Sequence, residues 1–86
     1  MTEETEARIE RALREALTEI VPEADVGRLD AERTLHAQLG LDSVDFLRFQ
    51  AALERTAGVS IPGAHGYRLA TLDGCRRYLR EKLLAG

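Results

Sequence analysis

Three apolar stripes at helical spacing, cut apart by proline and glycine, restrict this chain to a small helical bundle. Ile9, Leu13, Ala16, Leu17 and Ile20 recur at steps of three and four and so line one face. The spacing predicts a helix from Glu3 to Val21. Thr2 is its expected cap, Glu3, Glu4 and Glu6 suit its positive end, and Pro22 stops it. A second helix is expected from Ser43 to Ala57, with Gly58 as its C-terminal stop. On it Phe46, Phe49, Gln50, Leu53 and Ala57 form the core stripe, while Val44, Leu47, Arg48, Ala51 and Arg55 fall opposite. A third helix starts after Thr71 and runs to Leu84, with Leu72, Cys75, Arg76, Leu79 and Leu83 on one face. No segment sustains strand alternation. The expected fold is all-α, three principal helices with a long connection after the first.

That connection, residues 22–42, is long for a small domain, and such loops often carry function. Val26, Leu29, Leu35, Leu39 and Leu41 are spaced to anchor it, and Thr34 to Gly40 allows one helical turn. After Val59 and Ile61, Pro62-Gly63 breaks the chain, and residues 64–70 suit only a short, weak helix.

With 86 residues the chain is expected to be one domain over residues 1–86 and to act as a monomer. A 44% hydrophobic and 31% charged composition fits a folded soluble protein. No apolar run approaches a membrane span, and acids from the third residue are unlike a secretory leader. A single cysteine, Cys75, excludes an internal disulfide, so the cytoplasm is the expected location. Cys75 reads as a buried apolar residue, and His36 and His65 as surface or loop residues without zinc-site spacing. Residues 1–45 carry a net charge of −7 and residues 46–86 a net +4. The basic residues are scattered and aromatics are few, which argues against nucleic acid. Arg76, Arg77, Arg80 and Lys82 read as a solvated face near a helix C-terminus.

The chemistry concentrates at Leu39-Gly40-Leu41-Asp42-Ser43-Val44. Gly40 allows a sharp turn, and Asp and Ser both cap helices. A hydroxyl at such a junction is exposed where unpaired N–H groups and the helix dipole favour a phosphate. A nucleophile would need a base, and the G-x-S-x-G elbow is absent, so Ser43 reads as an attachment point and not a catalyst. Taken alone, Asp42-Ser43 equally describes an ordinary helix cap. Val44 and Leu47, apolar and off the core stripe, suit a surface that meets partners, although Leu47 also suits packing against the long loop.

From Ile9 to Leu83 the chain resembles the acyl carrier proteins. The resemblance rests on the first helix ended near Pro22, the long loop, and the Asp42-Ser43-Val44 junction. It continues through Gly58-Val59-Ser60-Ile61-Pro62 and Ala70-Thr71-Leu72. It implies that Ser43 accepts 4′-phosphopantetheine from coenzyme A through a phosphopantetheinyl transferase, with Asp42 helping to position the site. The arm's thiol then holds acyl groups as thioesters. The implied partners are ligases, ketosynthases or acyltransferases of fatty-acid, lipid or polyketide-type biosynthesis. A flexible arm raises the local concentration of cargo at each partner, and the chemistry belongs to cofactor and partners, so the chain itself is no enzyme. A peptidyl or aminoacyl carrier is the nearest alternative, but its usual Gly-Gly-[HD]-Ser-Leu form differs from Leu41-Asp42-Ser43. A small helical adaptor without a prosthetic group is the other. Two departures from the family pattern point to a specialised, free-standing carrier. Arg48 and Arg55 interrupt a docking helix that carries Asp45 and Glu54, and Gly63-Ala64-His65-Gly66-Tyr67-Arg68 stands where acids are usual. The expected partner-facing set is Val44, Asp45, Leu47, Arg48, Ala51 and Arg55. Tyr67 has two readings, lining the space near the arm or packing.

Overall fold

The structure, a computed structural model, describes residues 3–85. Four α-helices are present: α1 (Glu3–Ile20), α2 (Leu35–Leu39), α3 (Ser43–Ala57) and α4 (Leu72–Ala85). Two 3-10 segments, Val26–Arg28 and Gly63–Leu69, complete the helical content. The three long helices fall where the apolar stripes put them, and α2 is the turn expected between Thr34 and Gly40. Thr2, the expected first cap, lies outside the described residues. The short, weak helix expected over residues 64–70 is present as a continuous 3-10 run over Gly63–Leu69.

α1 packs most extensively on α3, and α4 closes against α1 and the Gly63–Leu69 segment. Ile9, Leu13, Leu17, Phe49, Leu53, Leu72 and Leu79 are fully buried at the centre. Full burial of such side chains contributes about 1.5–3 kcal/mol each, which is what gathers the stripes together. Side-chain-to-backbone hydrogen bonds tie α1 to α3. Thr56 Oγ1 donates to the Ala12 carbonyl at 3.0 Å, and Arg8 Nη2 donates to the Ala57 carbonyl at 2.8 Å. The second places a cation on the carbonyl end of α3, where the helix dipole favours it. α2 and α3 both end on glycines with left-handed backbone, Gly40 (φ 65°) and Gly58 (φ 69°), each donating its N–H back into the last turn.

The long connection is ordered by its own polar groups. Gln38 accepts from the Asp30 N–H at 2.7 Å and donates to the Asp30 and Arg33 carbonyls at 2.8 and 3.0 Å. Leu35 N–H donates to the Ala70 carbonyl and Asp73 N–H to the Ala31 carbonyl, which fastens the loop to the start of α4. Leu35 and Leu41 are buried, and Val26, Leu29 and Leu39 pack partly against the core.

Several expectations need correcting. Arg76 and Arg80 do not form a solvated face. Each makes a two-pronged ion pair across to α1, Arg76 with Glu10 (2.7 and 2.9 Å) and Arg80 with Glu6 (3.0 and 2.8 Å). Arg77 does stay exposed, at 3.9 Å from Asp73. His65 is not a free loop residue, since its Nδ1 lies 2.8 Å from the hydroxyl of buried Tyr78. Ala52, left off the core stripe of α3, is buried, while Phe46 is only half-buried and stacks on His36 at 4.7 Å between ring centres. Cys75 is buried as expected, and burial pushes its thiol up to about 12.

Candidate functional site

The site is the entry to α3. Asp42 is extended and precedes the helix as its cap. Its Oδ1 accepts the Asp45 N–H at 2.7 Å, and Asp45 Oδ2 accepts the Asp42 N–H at 3.3 Å. This reciprocal pair is a capping box with Asp in the position that Glu or Gln more often fills. It resolves what Ser43 does locally. The capping duty falls to Asp42, so Ser43 becomes the first helical residue with its hydroxyl released. Among the described residues that hydroxyl has no hydrogen-bond partner, and Ser43 is exposed. With the Asp45 N–H taken by the cap, the Ser43 and Val44 N–H groups are the first-turn donors left, and together with the dipole they favour an anion at this end. A phosphodiester on Ser43 Oγ fits that setting.

Among the described residues no histidine is hydrogen-bonded to the hydroxyl. His36 stacks on Phe46, and His65 is held by Tyr78. Beside Ser43 two aliphatic side chains are exposed, Val44 at 61% and Leu47 at 62%. Leu47 is not among the hydrophobic residues that pack against the core. Asp45 is half-buried by its capping role, and Arg48 and Ala51 are exposed. Arg55, exposed on the same face, is ion-paired with Glu19 of α1. Tyr67 is 77% exposed and lines a cleft of about 340 Å³ with Arg68, Ala70, Thr71, Gly74 and Arg77. A second cleft, of about 290 Å³, lies between α1 and the Val26–Arg28 turn and is lined in part by Glu10, Arg14, Asp25 and Arg76. Neither cleft includes Ser43.

The model of the phosphopantetheine attachment site family matches residues 11–79, most of the chain and all of α2 and α3. The chain belongs to this family. It is a carrier domain of the acyl-carrier type, and the family's prosthetic group is covalently attached 4′-phosphopantetheine. Such carrier domains are generally non-catalytic and work with a phosphopantetheinyl transferase and biosynthetic enzymes. Comparison with curated proteins and with solved structures returns no match. Among the described residues of this carrier, no helix is long and apolar enough to cross a membrane.

Sequence reasoning missed two features beside the site. One is the pairing of the α3 and α4 arginines with α1 acids, which depends on how the helices cross. The other is what Gln50, buried on the core stripe as expected, lies against: Gly66. A glutamine in an otherwise apolar stripe was visible, but nothing in the sequence showed what it faced.

Proposed function

We propose that the chain, as one carrier domain over residues 1–86, is an acyl carrier whose attachment point is Ser43. The observation that supports this best is the exposed, unpartnered hydroxyl at the first position of α3, left free because Asp42 carries the cap. Ser43 Oγ attacks the pantetheine-side phosphorus of the coenzyme A pyrophosphate, the P–O–P bond breaks, 3′,5′-adenosine bisphosphate leaves, and Ser43 Oγ becomes one ester oxygen of the phosphodiester. The transferase brings the proton acceptor. The arm's thiol then holds the acyl group as a thioester.

Leu41-Asp42 before the serine favours acyl over peptidyl cargo. The outward face of α3, Val44, Leu47, Arg48, Ala51 and Arg55 with Asp45 at its start, is the surface for partner enzymes. Among the described residues it couples two exposed aliphatic side chains to a cation, Arg48, that has no ion-pair partner. That combination suits dedicated partners of a specialised pathway, such as a dedicated ligase, ketosynthase or acyltransferase, better than the partners of a general fatty-acid carrier.

Incubation with coenzyme A and a broad-specificity phosphopantetheinyl transferase, followed by intact mass, tests the attachment. The expected result is a gain of one phosphopantetheinyl group that disappears in Ser43→Ala. No gain with several transferases overturns the carrier assignment of Ser43. Offering acyl and aminoacyl donors to the loaded form then separates the two kinds of cargo.

A further inference from the structure

Ser43 and Gln50 are seven residues apart on α3, so they lie within about 20° of one another around the axis and about 10 Å apart along it. A chain hung from Ser43 and turned inward along this face meets Phe46 after one turn and Gln50 after two. Gln50 is 7% exposed and is the one buried polar residue among those described. Its Nε2 donates to the carbonyls of Ile61 and Pro62 at 3.4 and 3.5 Å, which ties α3 to the chain just before Gly63–Leu69. On the opposite wall stands Gly66, also buried. A Cβ there would come within 2.7 Å of Gln50 Oε1 and 3.8 Å of Phe46 Cε2. The seam between α3 and Gly63–Leu69 is thus shut at this level by an amide lying against bare backbone. A hydrocarbon chain entering it would push the amide off both carbonyls and leave polar groups facing apolar surface, an unfavourable exchange.

We propose that Gln50 is a specificity-determining residue that keeps long apolar acyl chains out of the bundle, so that this carrier serves short or polar acyl groups. The proposal rests on Ser43 as the attachment point. Acetyl-, hexanoyl- and dodecanoyl-coenzyme A serve as donors to the transferase, intact mass confirms loading, and cleavage of each thioester by hydroxylamine is timed. In the natural chain the three are expected to cleave at the same rate, and the three forms to melt together. In Gln50→Met, which keeps the side-chain length and removes the amide, dodecanoyl cleavage slows about tenfold relative to acetyl as the chain moves inside. Slower cleavage of the dodecanoyl form in the natural chain, or a melting temperature that climbs with chain length there, overturns the proposal. So does a folded Gln50→Met that gives no protection. Gln50→Leu is read in the same way if the methionine variant does not fold. Failure to load any donor in the first step counts against Ser43 as the attachment point, and is seen before Gln50 is tested.

Discussion

Gly74, the third residue of α4, sets how closely that helix approaches the Gly63–Leu69 segment. A Cβ at this position would lie 2.4 Å from the Arg68 carbonyl oxygen and 3.2 Å from Thr71 Oγ1. Real Cβ atoms essentially never come within 3.0 Å of such neighbours, so the two backbones must separate by about 0.6 Å or more. The Arg68 carbonyl is backbone and cannot swing away, and Thr71 Oγ1 is held in place by accepting the Gly74 N–H at 2.9 Å. Two effects compete in Gly74→Ala. Helix propensity favours alanine by about 1 kcal/mol. Overpacking in a well-filled contact disfavours it by about 1–3 kcal/mol, and a clash with a carbonyl belongs at the upper end. The net expectation is a loss of about 1–2 kcal/mol, which for a domain this size lowers Tm by roughly 5–15 °C. Gly63→Ala is the matched control, since a Cβ there meets nothing within 4 Å. It should stay within about 0.5 kcal/mol of the parent. Urea unfolding followed by circular dichroism, with unchanged m, gives the comparison. A Gly74→Ala protein as stable as the parent, or more so, refutes the close approach and with it the rigid seating of Gly63–Leu69.

Asp42→Ala removes the cap of α3 and should lower stability by about 1 kcal/mol, whereas Asp42→Asn keeps it; thermal melts check this. If the asparagine variant melts normally but is modified slowly by the transferase, the charge of Asp42 acts in recognition as well as in capping. Glu6 and Glu81 are held below the usual carboxylate value, first by hydrogen bonds from Arg80 and Arg68 respectively. A depressed carboxylate contributes stability above its unfolded value, 4.5, and loses it as pH falls through the folded one, so acid should loosen the α1–α4 clasp below that point. Glu6→Gln should flatten that part of the stability–pH curve, and an unchanged curve contradicts the assignment. Cys75, with its thiol pushed up to about 12 from 9.0, should alkylate at least roughly a thousandfold more slowly in the native protein than in urea. Native thiol titration of the loaded protein then reports the arm alone. Arg55→Glu should lower Tm by facing Glu19, while Arg48→Glu should leave Tm unchanged and alter only partner kinetics, measured as kcat/KM of a partner enzyme at two salt concentrations.

The helices were legible because their stripes are strongly periodic and their ends carry Pro22, Gly40 and Gly58. The capped junction at Asp42-Ser43 was legible because its geometry is local. What escaped was everything set by the placement of one element against another. Ala52 looks peripheral on a helical wheel and is buried, one turn before Thr56, which bonds the Ala12 carbonyl of α1. Gly63–Leu69 has no strong helical pattern, and its 3-10 course is held by contacts with Gln50, Tyr78 and α4.

Charge shows the same division more sharply. The contrast between an acidic first half and a basic second half looked like a property of the outer surface. In the fold much of it is internal to the molecule, because Arg55, Arg76 and Arg80 answer Glu19, Glu10 and Glu6 along the two edges of α1. Ion pairs this exposed add little stability one by one, but opposite charges at matched positions disfavour a slipped or reversed packing of the helices. The arginines of α3 therefore divide into two kinds: Arg55 on the proposed partner face is also paired with Glu19 within the fold, and Arg48 has no such pair among the described residues. A docking test that reverses both together would confound a loosened bundle with a lost contact, and only the Arg48 change bears cleanly on what the carrier meets.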